Sequence, residues 1–299
     1  MAIIELLNSS LSLVIIICVV LGLLVGSFLN VVVYRLPIML QRDWRAQCCE
    51  YLEVDNTTPD ANEPSAQFAV FNLQKPDSHC PNCNHKIRPW ENIPVISYVV
   101  LAGKCSQCKT KISLRYPAVE FVTGVLSGLI AISFGFTWLT LALLFLTWSL
   151  IALTLIDFDH QLLPDNITLP LLWLGLLVNA LDLGFGVTLF DAVAGAMAGY
   201  IVLWGFYWIF KLATGKEGMG YGDFKLLAAL GAWMGWQSLL PIIILSSLVG
   251  AIFGLAMIVL QGRDKSVPMP FGPYLAGAGF IMLIWGPQIN ALYYNSMVG

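Results

Sequence analysis

The chain has 299 residues, of which 58% are hydrophobic and 11% are charged, and its formal net charge is -3. Ordinary soluble domains carry roughly one quarter charged residues, so this composition excludes a typical soluble globular protein and favours a membrane protein. The small net charge also excludes a strongly basic face, so no nucleic-acid partner is expected.

The first long apolar segment covers residues 11–33, and Arg35 lies two residues after its end. Glu5 precedes this segment and no Lys or Arg does, which does not fit the basic start of a cleavable signal peptide. Because about twenty apolar residues can cross the hydrocarbon core, we predict that this segment is a retained membrane helix.

Further apolar segments follow a polar stretch at residues 34–117. The run from Phe224 to Leu260 is too long for one crossing of a core ~30 Å thick, and Gly235 and Pro241 mark a turn within it. The sequence therefore predicts an all-α polytopic membrane protein with about eight transmembrane helices. These cover residues 11–33, 118–136, 138–156, 167–186, 188–210, 224–237, 239–260 and 271–293.

The positions of Lys and Arg test this topology, because cytoplasmic loops hold an excess of them. With eight spans and an outside N-terminus, all fifteen fall on one side, at residues 35–115, 211–225 and 263–265. A seven-span alternative places the last group on the other side. We therefore predict outside termini and three parts: a first helix (1–33), a cytoplasmic domain (34–117) and a seven-helix membrane domain (118–299).

Four cysteines form two CxxC pairs, which are Cys80 with Cys83 and Cys105 with Cys108. Thiols in the cytoplasm stay reduced, so the pairs favour a metal site over disulfides. Their spacing is typical of four-cysteine structural zinc sites. We predict that they bind Zn²⁺ and hold together a small zinc-ribbon-like domain between transmembrane helices 1 and 2.

Two groups of carboxylates lie at the predicted inner membrane surface. IDFDHQLLPD at residues 156–165 closes the third span, and GMGYGD at residues 218–223 opens the sixth. Peptide hydrolysis by two aspartates needs one ionised carboxylate to activate water and one protonated group to polarise the carbonyl. The residues alone leave Asp157 and Asp159 as alternatives for the first acid. Asp223 is the second candidate, although it could also be only a helix cap.

Helix polarity suggests how these two acids divide the work. Asp157 lies at a predicted helix C-terminus, where the macrodipole disfavours negative charge, and Asp223 lies at a helix N-terminus, where it is favoured. We predict that Asp157 holds the shared proton of the coupled pair and that Asp223 acts as the base.

These motifs, together with GSFLNVVVYRLP at residues 26–37 and RYPAVE at residues 115–120, resemble the type IV prepilin peptidases. The resemblance covers nearly the whole chain. It implies that the catalytic pair is Asp157, seven residues before Pro164, and Asp223, the last residue of the GxGxGD motif.

The resemblance also implies an activity and a location. Members of that family are aspartic endopeptidases of the bacterial inner membrane that remove the short basic leader of prepilins and pseudopilins after a glycine, at the cytoplasmic face. They often then N-methylate the new terminal residue with S-adenosylmethionine. For this chain the resemblance implies prepilin substrates, a lipid environment, periplasmic termini and S-adenosylmethionine. The residues that bind S-adenosylmethionine are unknown. Glu91 and Glu120 are candidates for a role in methylation, although each is at least as well explained as an ordinary interfacial carboxylate.

A non-enzymatic alternative is a zinc-ribbon scaffold or an ion-coupled transporter that uses the same carboxylates. Transporters usually hold such groups near the membrane midplane, whereas these acids lie at predicted helix ends. One stretch, residues 41–78, matches no motif, and we predict a solvated loop there. Its five acids between Glu50 and Glu63 could attract a basic leader.

Overall fold

The computed structural model describes residues 7, 9–54, 71–183, 186–261 and 269–298. Within these ranges the structure is helical and contains isolated bridges but no strands, so the predicted all-α class is confirmed. Two short 3-10 turns cover Pro89–Asn92 and Trp236–Ser238. The helices are α1 (Leu11–Tyr51), α2 (Ile96–Val100), α3 (Arg115–Phe134), α4 (Trp138–His160), α5 (Asp165–Ala180), α6 (Leu189–Thr214), α7 (Tyr221–Met234), α8 (Leu239–Gln261) and α9 (Gly272–Val298).

Within the described ranges, each apolar segment predicted from the sequence overlaps one of these helices, although the ends differ. Among the described residues, five helical segments are long and apolar enough to cross a membrane: α1, α3, α4, α6 and the segment Trp236–Met257. Helix α5 is apolar but has only 16 residues. Helix α7 has 14 residues, which at 1.5 Å per residue is about 21 Å and shorter than the hydrocarbon core.

Helix α1 is longer than predicted. It continues past residue 33 to Tyr51, and its 41 residues span about 60 Å, roughly twice the thickness of a hydrocarbon core. Residues 41–51 include Gln, Arg, Ala and Glu, which favour helix, so the solvated loop predicted to begin at residue 41 is wrong as far as Tyr51. Three of the five acids in that stretch lie within residues 55–70, outside the described residues.

The chain divides into two compact units, residues 12–129 and residues 1–11 with 130–299. In the first unit, α1 packs closely against α3. Gly22 and Gly26 on α1, and Gly124 and Gly128 on α3, each form a GxxxG pair at this contact. A Cβ atom at Gly22 would lie 2.7 Å from the Cβ of Ser127. Small residues at such spacing let two membrane helices approach closely.

Helix α7 is the central helix of the second unit. All side chains from Phe224 to Met234 are buried except that of Lys225, which is half-buried. Helix α6 approaches α7 so closely that a Cβ atom at Gly231 would overlap the backbone carbonyl of Gly195. A short apolar helix surrounded in this way is held by its neighbours, which fixes the position of its first turn.

Polar contacts fasten α5 to α7. The Trp233 indole Nε1 donates to the carbonyl oxygen of Leu171 at 2.9 Å. Asn179 Nδ2 donates to the carbonyl oxygens of Ala232 at 2.8 Å and Trp233 at 3.1 Å. These buried groups are satisfied by hydrogen bonds that set the register between the two helices.

Candidate active site

Asp157 lies in the last turn of α4, just before the helix ends with Gln161 in the left-handed conformation. Its side chain is 5% exposed. The carboxylate Oδ2 accepts a hydrogen bond from the backbone N–H of Gly272 at 2.9 Å. Asp159 and His160 in the same turn are exposed. The structure therefore turns Asp157, and not Asp159, toward the interior.

Asp223 is the third residue of α7 and is also 5% exposed. Its Oδ2 accepts from the backbone N–H of Gly220 at 3.2 Å, so the carboxylate does cap the helix. Its Oδ1 is buried and has no hydrogen-bond partner among the described residues. Next to it, a Cβ atom at Gly222 would lie 2.6 Å from the Cβ of Leu163, which explains why this position is a glycine.

Both carboxylates line one cavity of about 220 Å³. Its walls are formed by the end of α4, the glycine-rich loop before α7 and the segment before α9. The lining residues are Asp157, Gln161, Leu163, Glu217, Gly218, Met219, Gly220, Gly222, Asp223, Met269, Pro270 and Phe271. Two acids in one cavity can share a proton and activate a water molecule.

A hydrogen-bonded group braces the glycine-rich loop. Lys211 Nζ donates to the hydroxyl of Tyr207 at 3.0 Å and to Glu217 Oε1 at 2.8 Å, and the Tyr207 hydroxyl donates to the same oxygen at 3.1 Å. Tyr207 is buried and packs edge-on against Phe224. This group is not predictable from the sequence, because its members are polar residues at a helix end without a distinctive spacing.

The four predicted metal ligands come together in the first unit. The Sγ atoms of Cys80, Cys83, Cys105 and Cys108 all lie within 4.8 Å of one another. Two of the separations are 3.7 Å (Cys80 to Cys108) and 4.0 Å (Cys83 to Cys105). Thiolates about 2.3 Å from a tetrahedral metal ion are about 3.8 Å apart, so this cluster can hold a metal ion.

The two cysteine pairs belong to a structural repeat. In residues 79–87 and 104–112, the N–H of the first cysteine donates to the carbonyl five residues later, at 2.9 Å in both. Its own carbonyl accepts from the N–H four residues later, at Asn84 and Lys109, whose φ angles are 56° and 60°. The signal was present in the sequence as HCPNCNHKI and KCSQCKTKI. The cysteine spacing predicts the ligands, and the matching residues around it encode the repeated backbone.

Comparison with known proteins identifies the family. Residues 20–134 match the bacterial peptidase A24 N-terminal domain, and residues 144–255 match the type IV leader peptidase family. The chain is 58% identical to a prepilin leader peptidase/N-methyltransferase of Stutzerimonas stutzeri over 274 residues, 92% of this chain and 91% of that relative. A relative of the same name from Neisseria gonorrhoeae is 52% identical over 88% of this chain and 87% of its own length. The chain belongs to the type IV leader peptidase family.

The cysteine cluster and the pair of aspartates lie in different family matches. The N-terminal match contains the cysteine cluster, and the leader peptidase match contains both Asp157 and Asp223. Gly272, which donates to Asp157, lies beyond residue 255 and outside both matches. No solved structure matches the chain significantly.

In this leader peptidase family member, two helix termini meet at Asp157. The carboxylate lies at the C-terminus of α4 and accepts from the first residue of α9. The macrodipoles of these two helices act on it in opposite senses. The helix macrodipoles therefore do not decide whether Asp157 carries the proton that the two acids share. The assignment of this proton to Asp157 stays a prediction.

The two acids considered as candidates for methyl transfer both have structural contacts. Glu91 Oε2 accepts from the backbone N–H of Arg88 at 2.9 Å and lies 3.2 Å from His85 Nε2. The Arg88 N–H is the main reason that the pKa of Glu91 is lowered. Glu120 is 9% exposed and accepts from the backbone N–H of Val95 at 2.8 Å.

The thiols of the cysteine cluster differ in their acidity. A side-chain hydrogen bond with Thr110 is the largest of the effects that lower the pKa of the Cys108 thiol to about 5. The pKa of the Cys83 thiol in the same cluster is raised to about 12, so the four thiols do not ionise together. Metals bind the thiolate form, and binding would therefore release protons from the cluster.

Proposed function

We propose that this protein is an aspartic endopeptidase whose catalytic pair is Asp157 and Asp223. It removes the short basic leader of type IV prepilins and pseudopilins after a glycine and then N-methylates the new terminal residue. The observation that carries the proposal is that two buried carboxylates line one cavity. The names of its relatives, prepilin leader peptidase/N-methyltransferase, supply the substrate class.

In the proposed reaction, the ionised carboxylate takes a proton from water, and the water oxygen attacks the carbonyl carbon of the scissile bond. The other carboxyl group donates its proton to the carbonyl oxygen. Collapse of the tetrahedral intermediate breaks the C–N bond, and the amine leaves with a proton from the pair. We assign the base to Asp223, because it lies at the N-terminus of α7, where the macrodipole favours a negative charge, and its Oδ2 accepts from the backbone N–H of Gly220.

The cysteine cluster supports a structural metal site, and we assign the metal as Zn²⁺. Cys80, Cys83, Cys105 and Cys108 would hold it, since four thiolates at tetrahedral separations favour zinc. The ion would link the two repeated loops of a zinc-ribbon-like domain that has few buried apolar residues of its own.

For the membrane arrangement, we retain eight transmembrane helices in the bacterial inner membrane, with both termini in the periplasm. The parts are a first transmembrane segment (1–33), a cytoplasmic domain (34–117), into which α1 continues as far as Tyr51, and a seven-helix membrane domain (118–299). In this arrangement every Lys and Arg falls on the cytoplasmic side, in agreement with the excess of these residues in cytoplasmic loops. The carboxylate pair then lies at the cytoplasmic face, next to lipid and within reach of a leader that has not crossed the membrane.

N-methylation with S-adenosylmethionine rests on the names of the relatives, and we assign no residues to the methyl donor. Mass spectrometry of pilin processed by the purified protein tests this half of the proposal. We expect the mature N-terminus to gain one methyl group only when the donor is supplied.

Co-expression of a prepilin with Asp157→Asn and Asp223→Asn variants tests the catalytic pair. We expect each variant to abolish leader removal. Asp159→Asn is the matched control, because Asp159 lies in the same helical turn but is exposed, and it should cleave normally. Full cleavage by Asp157→Asn or Asp223→Asn contradicts the proposal and favours the scaffold or transporter alternative.

A further inference from the structure

We propose that the backbone N–H of Gly272 is a positioning group of the active site, which holds the carboxylate of Asp157 in its working orientation. This inference rests on the proposed function and extends it to a segment outside both family matches. The N–H lies 2.9 Å from Asp157 Oδ2, and the bond is buried. Gly272 is the first residue of α9, so its N–H has no acceptor within its own helix and is available to Asp157.

The contact requires a glycine at position 272. A Cβ atom there would lie 2.6 Å from Asp157 Oδ2 and 3.1 Å from Leu163 Cδ2. Leu163 is 7% exposed and leaves no space on that side. Any other side chain would therefore displace either the catalytic carboxylate or the backbone that holds it.

Leu163 also connects the two halves of the site. It packs against Gly272 on one side and against Gly222, next to Asp223, on the other. The two segments that hold the carboxylates thus rest on the same side chain. The contacts of Leu163 with Gly222 and Gly272 therefore set the distance between the two segments. Closely packed contacts of this kind cannot deform without a cost in free energy.

The hydrogen bond has a defined consequence for the chemistry. It occupies Oδ2 of Asp157 and leaves Oδ1 as the oxygen that can exchange a proton with the substrate carbonyl. Met269, Pro270 and Phe271, directly before Gly272, line the cavity that holds both acids. The segment before α9 therefore orients one acid and forms part of the wall beside the substrate. Gly272 touches no reacting atom, so its role is positional.

Three alanine variants in α9 test this inference. Gly272→Ala places a Cβ atom against Asp157. Gly277→Ala is the neutral control, because no described atom lies within 4 Å of a Cβ atom there. Gly279→Ala is the packing control, since its Cβ atom would lie 2.6 Å from Leu230 Cδ2, away from both acids. For each variant we would measure kcat and KM for cleavage of a prepilin, methylation of a pre-cleaved pilin peptide, and Tm in detergent.

We expect Gly272→Ala to lower kcat about 100-fold, as a misplacement near 1 Å does, with little change in KM and with methylation retained. Gly277→Ala should match the wild type, and Gly279→Ala should lower Tm without a selective loss of kcat. A Gly272→Ala variant with the kcat of the wild type overturns the inference. The inference is also overturned if methylation falls by the same factor as cleavage and Tm falls as well, because the variant is then generally destabilised. Wild-type protein that cleaves no prepilin contradicts the proposed function itself, and the inference with it.

Hydrogen exchange provides a measurement that does not depend on how Gly272→Ala folds. We expect the Gly272 amide to exchange slowly in the wild type and faster in Asp157→Ala, because that variant removes its acceptor. The amide of Gly277, in the same helix, should exchange equally in both proteins. Equal exchange of the Gly272 amide in the two proteins overturns the inference.

Discussion

Lys225 and Asp165 form an ion pair in which Lys225 Nζ lies 2.7 Å from Oδ1 and 2.8 Å from Oδ2 of the aspartate. The pair joins the first residue of α5 to α7, two residues after Asp223. The side chain of Lys225 is 28% exposed and that of Asp165 is 50% exposed. A pair this exposed to solvent is worth up to about 1 kcal/mol, so it aligns the two helix starts without dominating their stability.

Lys225→Met is therefore expected to reduce cleavage by less than about tenfold, which corresponds to about 1.4 kcal/mol. The reason is that α7 is also held by its buried side chains and by contacts with α5 and α6. Steady-state cleavage of a prepilin measures the effect. The exchanged pair, Asp165→Lys with Lys225→Asp, should recover part of the loss. Complete inactivity of Lys225→Met would show instead that this lysine acts on the substrate.

Removal of a cysteine ligand is expected to release the metal. Cys80→Ser and Cys105→Ser each take one thiolate from the cluster, and a tetrahedral site with three remaining thiolates binds zinc much more weakly. Elemental analysis of the purified proteins measures the change. Cys48→Ser is the control, because Cys48 is exposed and outside the cluster. Equal zinc in Cys80→Ser and the wild type would contradict the assignment.

The lowered pKa of Glu91 predicts that the thermal stability of the protein depends on pH. The pKa of Glu91 is lowered chiefly by the Arg88 N–H and next by a hydrogen bond from Ser106. Its ionised form therefore contributes stability that is complete above its ordinary pKa of about 4.3 and is lost as the pH falls through the lowered value. Glu91→Gln lacks this contribution. We expect the wild type to melt at a higher temperature than Glu91→Gln at pH 7, and the difference to shrink on acidification.

The melting temperatures of the two proteins are compared at each pH, so that effects of pH that are common to both cancel. A melting-temperature difference that stays constant from neutral to acidic pH would contradict the electrostatic role of Glu91. A structural role without charge would give that constant difference.

The contact between α6 and α7 predicts a large effect from one methyl group. Gly231→Ala would overlap the carbonyl of Gly195, and overpacking of this kind costs about 1–3 kcal/mol. Gly205→Ala on α6 is the control, since no described atom lies within 4 Å of a Cβ atom there and alanine favours helix by up to about 1 kcal/mol. Thermal unfolding in detergent should place Gly231→Ala below the wild type and Gly205→Ala at or above it. The opposite order would mean that the helices do not cross at these glycines.

Many residues of the two sites could be predicted, because they belong to short motifs of neighbouring residues. The CxxC pairs bring two ligands together at each turn, and IDFDHQLLPD and GMGYGD each place an acid at a helix end. The choice between Asp157 and Asp159 needed the family spacing. The structure gives an independent reason, since residues two apart on a helix point in different directions and only Asp157 enters the cavity.

Other features were visible in the sequence but were not used. The repeat HCPNCNHKI and KCSQCKTKI encodes two loops of the same backbone geometry. The GxxxG pairs at residues 22–26 and 124–128 encode a close helix contact. The polar residues after position 33 predict the end of the first membrane span but not the end of α1, because a polar segment with good helix formers continues a helix that has already begun.

The sequence by itself determined the helical class, the apolar segments, the two acidic motifs and the four cysteines, because each depends on residue type and short-range spacing. Only the tertiary structure decided that Gly272 holds Asp157, since the two residues are 115 positions apart. It also decided that Leu163 separates the two segments that hold the acids. Such contacts arise from the angles and registers at which helices pack, and these depend on many side chains at once, whereas helical periodicity describes one segment at a time.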